Sequence, residues 1–99
     1  MKMHDPAHPG EMLRGWLDDL STSVTDFAAH LGISRVMLSR VLNCHSAVSA
    51  DMDLRLHEAL GTSPGHWLAM QSQRDQWEAS QNAKQRPKVK RMKPAQAAG

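Results

Sequence analysis

The amino-acid sequence predicts an all-α protein of five short helices. Apolar residues recur at spacings of three and four along most of the chain, which is typical of amphipathic helices. β-Branched residues are few, and no apolar–polar alternation is long enough for a strand. Serine, proline and glycine stand where such helices would begin or end. At 99 residues, the chain forms one domain with a modest core, which a dimer would help to stabilise.

The first helix begins at His8-Pro9-Gly10-Glu11. Proline at an early helical position loses no hydrogen bond that the helix needs, and Glu11 stands at the positive end of the helix dipole. Apolar residues then recur over about three turns. The predicted buried stripe consists of Leu13, Trp16, Leu17 and Leu20.

The stretch 23–43 predicts two further helices joined by a tight turn. Ala28 stands where the helices would cross, and Gly32 suits a left-handed helix terminus. Ser23, with Asp26, fits an N-terminal capping box, and Ser34 can cap the next helix. The apolar residues predicted to face the core are Phe27, Leu31, Ile33, Leu38 and either Val41 or Leu42.

After a connector over residues 44–49, two more helices complete the domain. We expect Ser49 to cap the fourth helix and Gly61 to end it. We expect Ser63 to cap the fifth, with Pro64 as its first residue and an end near 80 or 82. The apolar positions predicted for these helices are Met52, Leu56, Ala59, Leu60, Trp67, Leu68 and Met70, with Trp77 free to pack internally or to face a partner.

The net charge of +2 conceals a strong asymmetry along the chain. Six basic residues lie between Lys84 and Lys93, whereas residues 1–83 carry six basic and ten acidic residues, a formal charge of −4. We therefore divide the chain into a flexible lead over 1–7, a helical domain over 8–82, and a basic, disordered tail over 83–99. Because the helical domain is acidic, it can bind DNA only by concentrating arginines on one face, by dimerising or by recruiting the tail.

The pattern in 23–43 is that of a DNA-binding helix-turn-helix. An ordinary helical hairpin would also space its leucines in this way, but it would have no reason to leave Arg35, Ser39 and Arg40 outside. The first arginine or the second can contact guanine, Val36 can touch a thymine methyl, and Thr25 can bind a phosphate near a helix N-terminus. The full set of predicted DNA-contacting residues is Thr25, Ser34, Arg35, Val36, Ser39, Arg40 and Asn43.

Other function classes find little support in the sequence. The six histidines are scattered, without a pair at i and i+4, so we predict no metal site and no cofactor. No spacing places a nucleophile beside a base, so we predict that the protein is not an enzyme. There is no apolar run long enough for a membrane span and no signal-peptide pattern. The single cysteine, Cys44, fits a reducing cytoplasm.

From His8 to about Trp77 the chain resembles the HigA antitoxins, a branch of the Xre/Cro-like helix-turn-helix regulators. Three motifs show the resemblance: the opening His-Pro-Gly-Glu, the stretch from Gly32 to Asn43, and the stretch from Ala50 to Leu68, which resembles the last two helices of the family and includes its Thr-Ser-Pro…Trp-Leu element. Cys44 departs from the family, which commonly has glycine there, and the basic tail is not part of the family core.

The resemblance implies a five-helix bundle of the lambda-repressor-like type. It also implies a homodimer that binds an operator, represses its own operon and neutralises a HigB-like, mRNA-cleaving toxin. Two alternatives stay open: a solitary regulator without a toxin, and a protein-interaction module that keeps the fold without binding DNA. The acidic domain favours the module, whereas the exposed positions Arg35, Ser39 and Arg40 favour DNA binding more strongly.

Overall fold

The computed structural model describes residues 5–82 and 85–94. Within these ranges the chain forms five α-helices and no strand. Parts of the predicted lead (residues 1–4) and of the predicted tail (residues 83, 84 and 95–99) lie outside the described residues. The helices are α1 (Pro9–Leu20), α2 (Val24–Leu31), α3 (Arg35–Leu42), α4 (Ala50–Leu60) and α5 (His66–Gln81).

One hydrophobic core joins all five helices. α3 packs against both α1 and α2, while α4 packs against α2 and α5. Gly10 lies where α1 meets the end of α3: a Cβ built there would come within 2.2 Å of the Val41 carbonyl oxygen. The buried apolar residues are Leu13, Leu17, Phe27, Ala28, Leu31, Leu38, Val41, Leu42, Val48, Met52, Leu56 and Trp67.

The predicted helix starts of α1 to α4 are confirmed. The hydroxyls of Ser23, Ser34 and Ser49 accept hydrogen bonds from backbone N–H groups three residues on, at 3.0–3.1 Å. α1 begins at Pro9, and the ring of His8 accepts from Gly10 N. Side-chain acceptors at these ends satisfy N–H groups that no helical carbonyl can reach.

The predicted start of α5 is wrong. Ser63 does not cap the helix, which begins at His66, because residues 63–66 form a turn of type II. Pro64 is its second residue, Gly65 its third with φ +88°, and His66 N donates to the Ser63 carbonyl at 3.0 Å. Proline followed by a residue of positive φ is the sequence preference of this turn.

Two predicted core positions are also wrong. Leu20, at the last position of α1, is 51% exposed, and Leu68 is 37% exposed. Both have the spacing of a buried stripe, but neither belongs to the hydrophobic core of the described residues. The remaining predicted core positions pack partly buried against the core; they are Trp16, Ile33, Ala59, Leu60 and Met70.

The first described residues attach to α5 through Arg74. Its guanidinium binds the Asp5 carboxylate at 2.8 Å and the Pro6 carbonyl at 3.0 Å, and it lies 4.8 Å from the centre of the Trp77 ring. Residues 85–94 are exposed and contain neither helix nor strand. None of the described helices has the length and apolarity needed to cross a membrane.

Candidate nucleic-acid interface

The turn between α2 and α3 sets the angle at which α3 is presented. Gly32 ends α2 with φ +74°, and Ile33 N returns to the Ala28 carbonyl at 3.0 Å. Ala28 itself is 2% exposed, so its small side chain lets the two helices approach closely. Arg55 from α4 donates to the Leu31 carbonyl at 2.7 Å and thereby satisfies a free carbonyl at the end of α2. The turn and the Ala28 contact therefore fix how α3 lies against α2.

The outer side of α3 and its flanking residues carry the predicted contact residues. Leu38, Val41 and Leu42 are buried, which turns the opposite face to solvent. Val36 is 70% exposed, and Ser39 is half-buried. The Ser34 hydroxyl accepts a cap hydrogen bond from Met37 N at 3.0 Å and keeps its own O–H donor. The other exposed members of the predicted set are Thr25, Ser34, Arg35, Arg40 and Asn43.

Arg40 is exposed but already has partners. Its Nε donates to Ser46 Oγ at 3.0 Å, and a terminal nitrogen lies 3.5 Å from the His45 carbonyl oxygen. The backbone N–H of His45 also donates to the Arg40 carbonyl at 2.8 Å. Arg40 therefore ties the connector after α3 to the helix, whereas no hydrogen bond involves the Arg35 side chain within the described residues.

Arg14 belongs to this surface although the sequence-based set omits it. From α1, its guanidinium donates to Asn43 Oδ1, and Asn43 Nδ2 donates to Ser39 Oγ at 3.3 Å. Met37, 51% exposed on the first turns of α3, was likewise omitted. Position on α3 would have identified Met37, but nothing local in the sequence brings Arg14 to residue 43, which lies 29 positions away.

The backbone at Cys44 has a conformation that favours glycine, the residue that the HigA antitoxins commonly have after this asparagine. It adopts φ +63°, a left-handed conformation that costs little only for glycine. Its N–H donates to the Val41 carbonyl at 3.1 Å, which closes the last turn of α3. Loss of surrounding water, together with the nearby Glu11 carboxylate, raises the pKa of the Cys44 thiol.

The arginines that pair with acidic groups and those that do not lie in different parts of the domain. Residues 5–82 contain five arginines and ten acidic residues. Arg55 pairs with Asp51, and Arg74 pairs with Asp5 and Glu78. The other three arginines of residues 5–82 have no acidic group of the described residues within 4 Å, and all three lie on or beside α3. They are Arg14, Arg35 and Arg40.

Comparison with known proteins agrees with this geometry. The chain is 36% identical over 75 residues to virulence-associated protein A′ of Dichelobacter nodosus, and the match covers 75% of this chain and 65% of that protein. It is 33% identical over 72 residues to the HTH-type transcriptional regulator YddM of Escherichia coli K12, covering 73% of this chain and 77% of that regulator. No protein-family model matches the chain.

Among solved structures, antitoxin HigA of Pseudomonas aeruginosa with the higBA promoter superposes with a TM-score of 0.75. It is 33% identical, and the match covers 81% of this chain and 89% of that one. Fold and sequence thus assign this chain to the class of helix-turn-helix proteins. The chain belongs to the family of HTH-type transcriptional regulators that contains the HigA antitoxins.

Proposed function

We propose that this protein is a sequence-specific DNA-binding regulator that represses its own operon. The main observation concerns three arginines without an acidic partner among the described residues. They lie on and beside the exposed face of α3, within a domain that is otherwise acidic. A family member of the same fold has been solved with its promoter DNA. The activity is one of binding rather than catalysis, and its place is the cytoplasm, where the operator would be.

In the proposed complex α3 lies in the major groove of the operator. Its N-terminal residues face base edges in this arrangement, so Arg35 and Val36 read bases while Thr25 binds a flanking phosphate. Among residues 5–82 and 85–94 the Arg35 side chain has no hydrogen-bond partner, so its donors can make the two-pronged contact with guanine. Ser34, Ser39, Arg40 and Asn43 complete the proposed contact set.

We further propose that two copies bind as a two-fold dimer. A dimer of this class reads an inverted repeat whose half-site centres lie about 34 to 36 Å apart. Dimerisation would also double the number of arginines facing DNA, which offsets the acidic charge of each domain. We propose that residues 8–82 form the domain, preceded by a short lead over 1–7 and followed by a basic tail over 83–99.

The likeness to HigA supports a second activity, neutralisation of a HigB-like toxin. The relative solved with its promoter is itself an antitoxin. A small ribonuclease-like toxin gene next to the gene for this protein would support the role. Co-expression should then restore growth to cells that express the toxin, and a toxin that remains active in the presence of this protein would contradict it.

A protein-interaction module of the same fold is the second candidate function, since ten acidic residues against five arginines give the domain a negative surface. A gel shift with the promoter of the protein's own gene separates the two. Regulation requires that a promoter fragment be bound in preference to a scrambled fragment of equal length. Equal or absent binding of both fragments would leave the interaction module as the better interpretation.

A further inference from the structure

Arg14 belongs to α1, but its side chain contacts the end of α3. It lies exposed on α1, in the helix that precedes the helix-turn-helix, yet its guanidinium donates to Asn43 at the C-terminal end of α3. Asn43 donates in turn to Ser39. These three side chains form a hydrogen-bonded chain, the Arg14–Asn43–Ser39 chain, along the outer edge of α3.

The contact with Asn43 uses only part of the hydrogen-bonding capacity of Arg14. A guanidinium has five N–H donors in a planar fork, and Asn43 is its one hydrogen-bond partner among the described residues. No described carboxylate lies within 4 Å to neutralise the charge. Arg14 therefore presents an uncompensated positive charge, held in a fixed place by a neutral partner.

The location of that charge indicates what it would bind. In a docked helix-turn-helix the N-terminal part of the recognition helix meets the bases, and other elements cross the sugar-phosphate backbone. Arg14 lies beside the opposite end of α3, where in such a docked arrangement the backbone would be nearer than the base edges. A guanidinium matches the oxygens of a phosphate through two parallel hydrogen bonds.

We propose that Arg14 binds an operator phosphate beside the C-terminal end of α3 and at the same time holds the Asn43 amide in one orientation. This inference rests on the proposed function. It adds a DNA-contacting residue from outside the helix-turn-helix. It also gives Asn43 a defined direction, with its oxygen toward α1 and its NH₂ group toward Ser39.

The test is a salt titration of binding to the promoter fragment and to a scrambled fragment, by fluorescence anisotropy. We expect Arg14→Gln to weaken binding to both fragments by a similar factor of roughly ten. The slope of log K against log salt should become shallower by about 0.9 for each arginine removed. Arg14→Lys should keep the slope, because the charge remains.

Gln76→Glu is the matched control. It changes the net charge by the same amount at an exposed position of α5. Because α5 carries none of the proposed DNA contacts, this variant should leave the salt slope unchanged. Thermal unfolding by circular dichroism checks that each variant is folded. We expect the Arg14 variants to fold, because the side chain they replace is exposed.

An unchanged slope for Arg14→Gln, with or without a loss of affinity, would overturn the phosphate contact. A loss confined to the promoter fragment would do so as well, since a phosphate contact is independent of sequence. Wild-type protein that binds neither fragment would instead overturn the proposed function, and the role of Arg14 with it.

Discussion

Asp53 of α4 and Trp67 of α5 are joined through the start of α5. Asp53 Oδ1 accepts from Trp67 N at 2.8 Å and from Leu68 N at 3.2 Å, while Oδ2 accepts from Gly65 N at 2.7 Å. The carboxylate is 1% exposed. α5 has no capping side chain of its own, so a residue twelve to fifteen positions earlier in the chain satisfies its free N–H groups. This contact fastens the last helix to the domain.

Removal of that carboxylate should destabilise the whole domain. Asp53→Ala leaves three backbone N–H groups without this acceptor, of which that of Trp67 is buried and the other two are partly buried. We expect the free energy of unfolding to fall by about 1–3 kcal/mol in urea titrations. Asp53→Asn should lose less, since its amide oxygen still accepts. Asp51→Ala is the control: it removes an exposed ion pair worth under about 1 kcal/mol. Equal losses at residues 51 and 53 would contradict the capping role.

The crossing of α2 and α3 should not accept a larger side chain at residue 28. Ala28→Leu places three extra carbons in a fully packed contact, and we expect a loss of about 1–3 kcal/mol in the free energy of unfolding. Ala29→Leu adds the same atoms at the adjacent, exposed position and should have little effect. Unchanged thermal stability of Ala28→Leu would argue against this helix contact.

Arg40 should contribute to specific binding if it reads a base. Arg40→Ala is then expected to cost about 1–3 kcal/mol on the promoter fragment and less on scrambled DNA. Ser46→Ala is the control, because it removes the partner of Arg40 Nε and keeps the charge. Equal losses on both fragments would assign Arg40 to a phosphate, and equal effects of the two variants would assign it to holding the connector.

The backbone at Cys44 predicts a stabilising substitution. Glycine adopts φ +63° without the steric cost that a Cβ imposes, which is about 1–2 kcal/mol in the left-handed region. Part of that gain is lost because glycine is more flexible in the unfolded chain. Cys44→Gly should therefore raise the free energy of unfolding by up to about 1 kcal/mol, whereas Cys44→Ala keeps the strain. A glycine variant no more stable than the alanine variant would refute this reasoning.

The chemistry of the same cysteine should depend on pH in a defined way. Because its surroundings raise the pKa of the Cys44 thiol, less of the nucleophilic thiolate is present near pH 8 than in an unfolded chain. The exposed thiol should thus react with iodoacetamide more slowly in the folded protein than in urea. The difference should shrink as the pH rises above the folded-state pKa. A folded protein that reacts faster at pH 8 would contradict the direction of the shift.

Interactions between residues a few positions apart were predictable from the sequence. The caps at Ser23, Ser34 and Ser49 act three residues away, and Gly32 ends its own helix. The spacing of apolar residues indicated which face of α3 is buried. For these features the hydrogen-bond partner or the neighbouring side chain lies within one or two helical turns. The identities of nearby residues therefore suffice to predict them.

Asp53 and Arg14 show what the sequence could not specify. A carboxylate in the first turn of α4 is favourable for the dipole of that helix wherever α5 lies. The role of Asp53 as the cap of α5 depends on how α4 and α5 pack. Arg14 reaches Asn43 because α1 packs on α3, and the exposure of Leu20 likewise depends on how the helices pack. The sequence by itself determined the helices, their local caps and the outward face of α3. Tertiary structure alone decided which distant charges meet, since those contacts depend on how whole helices pack.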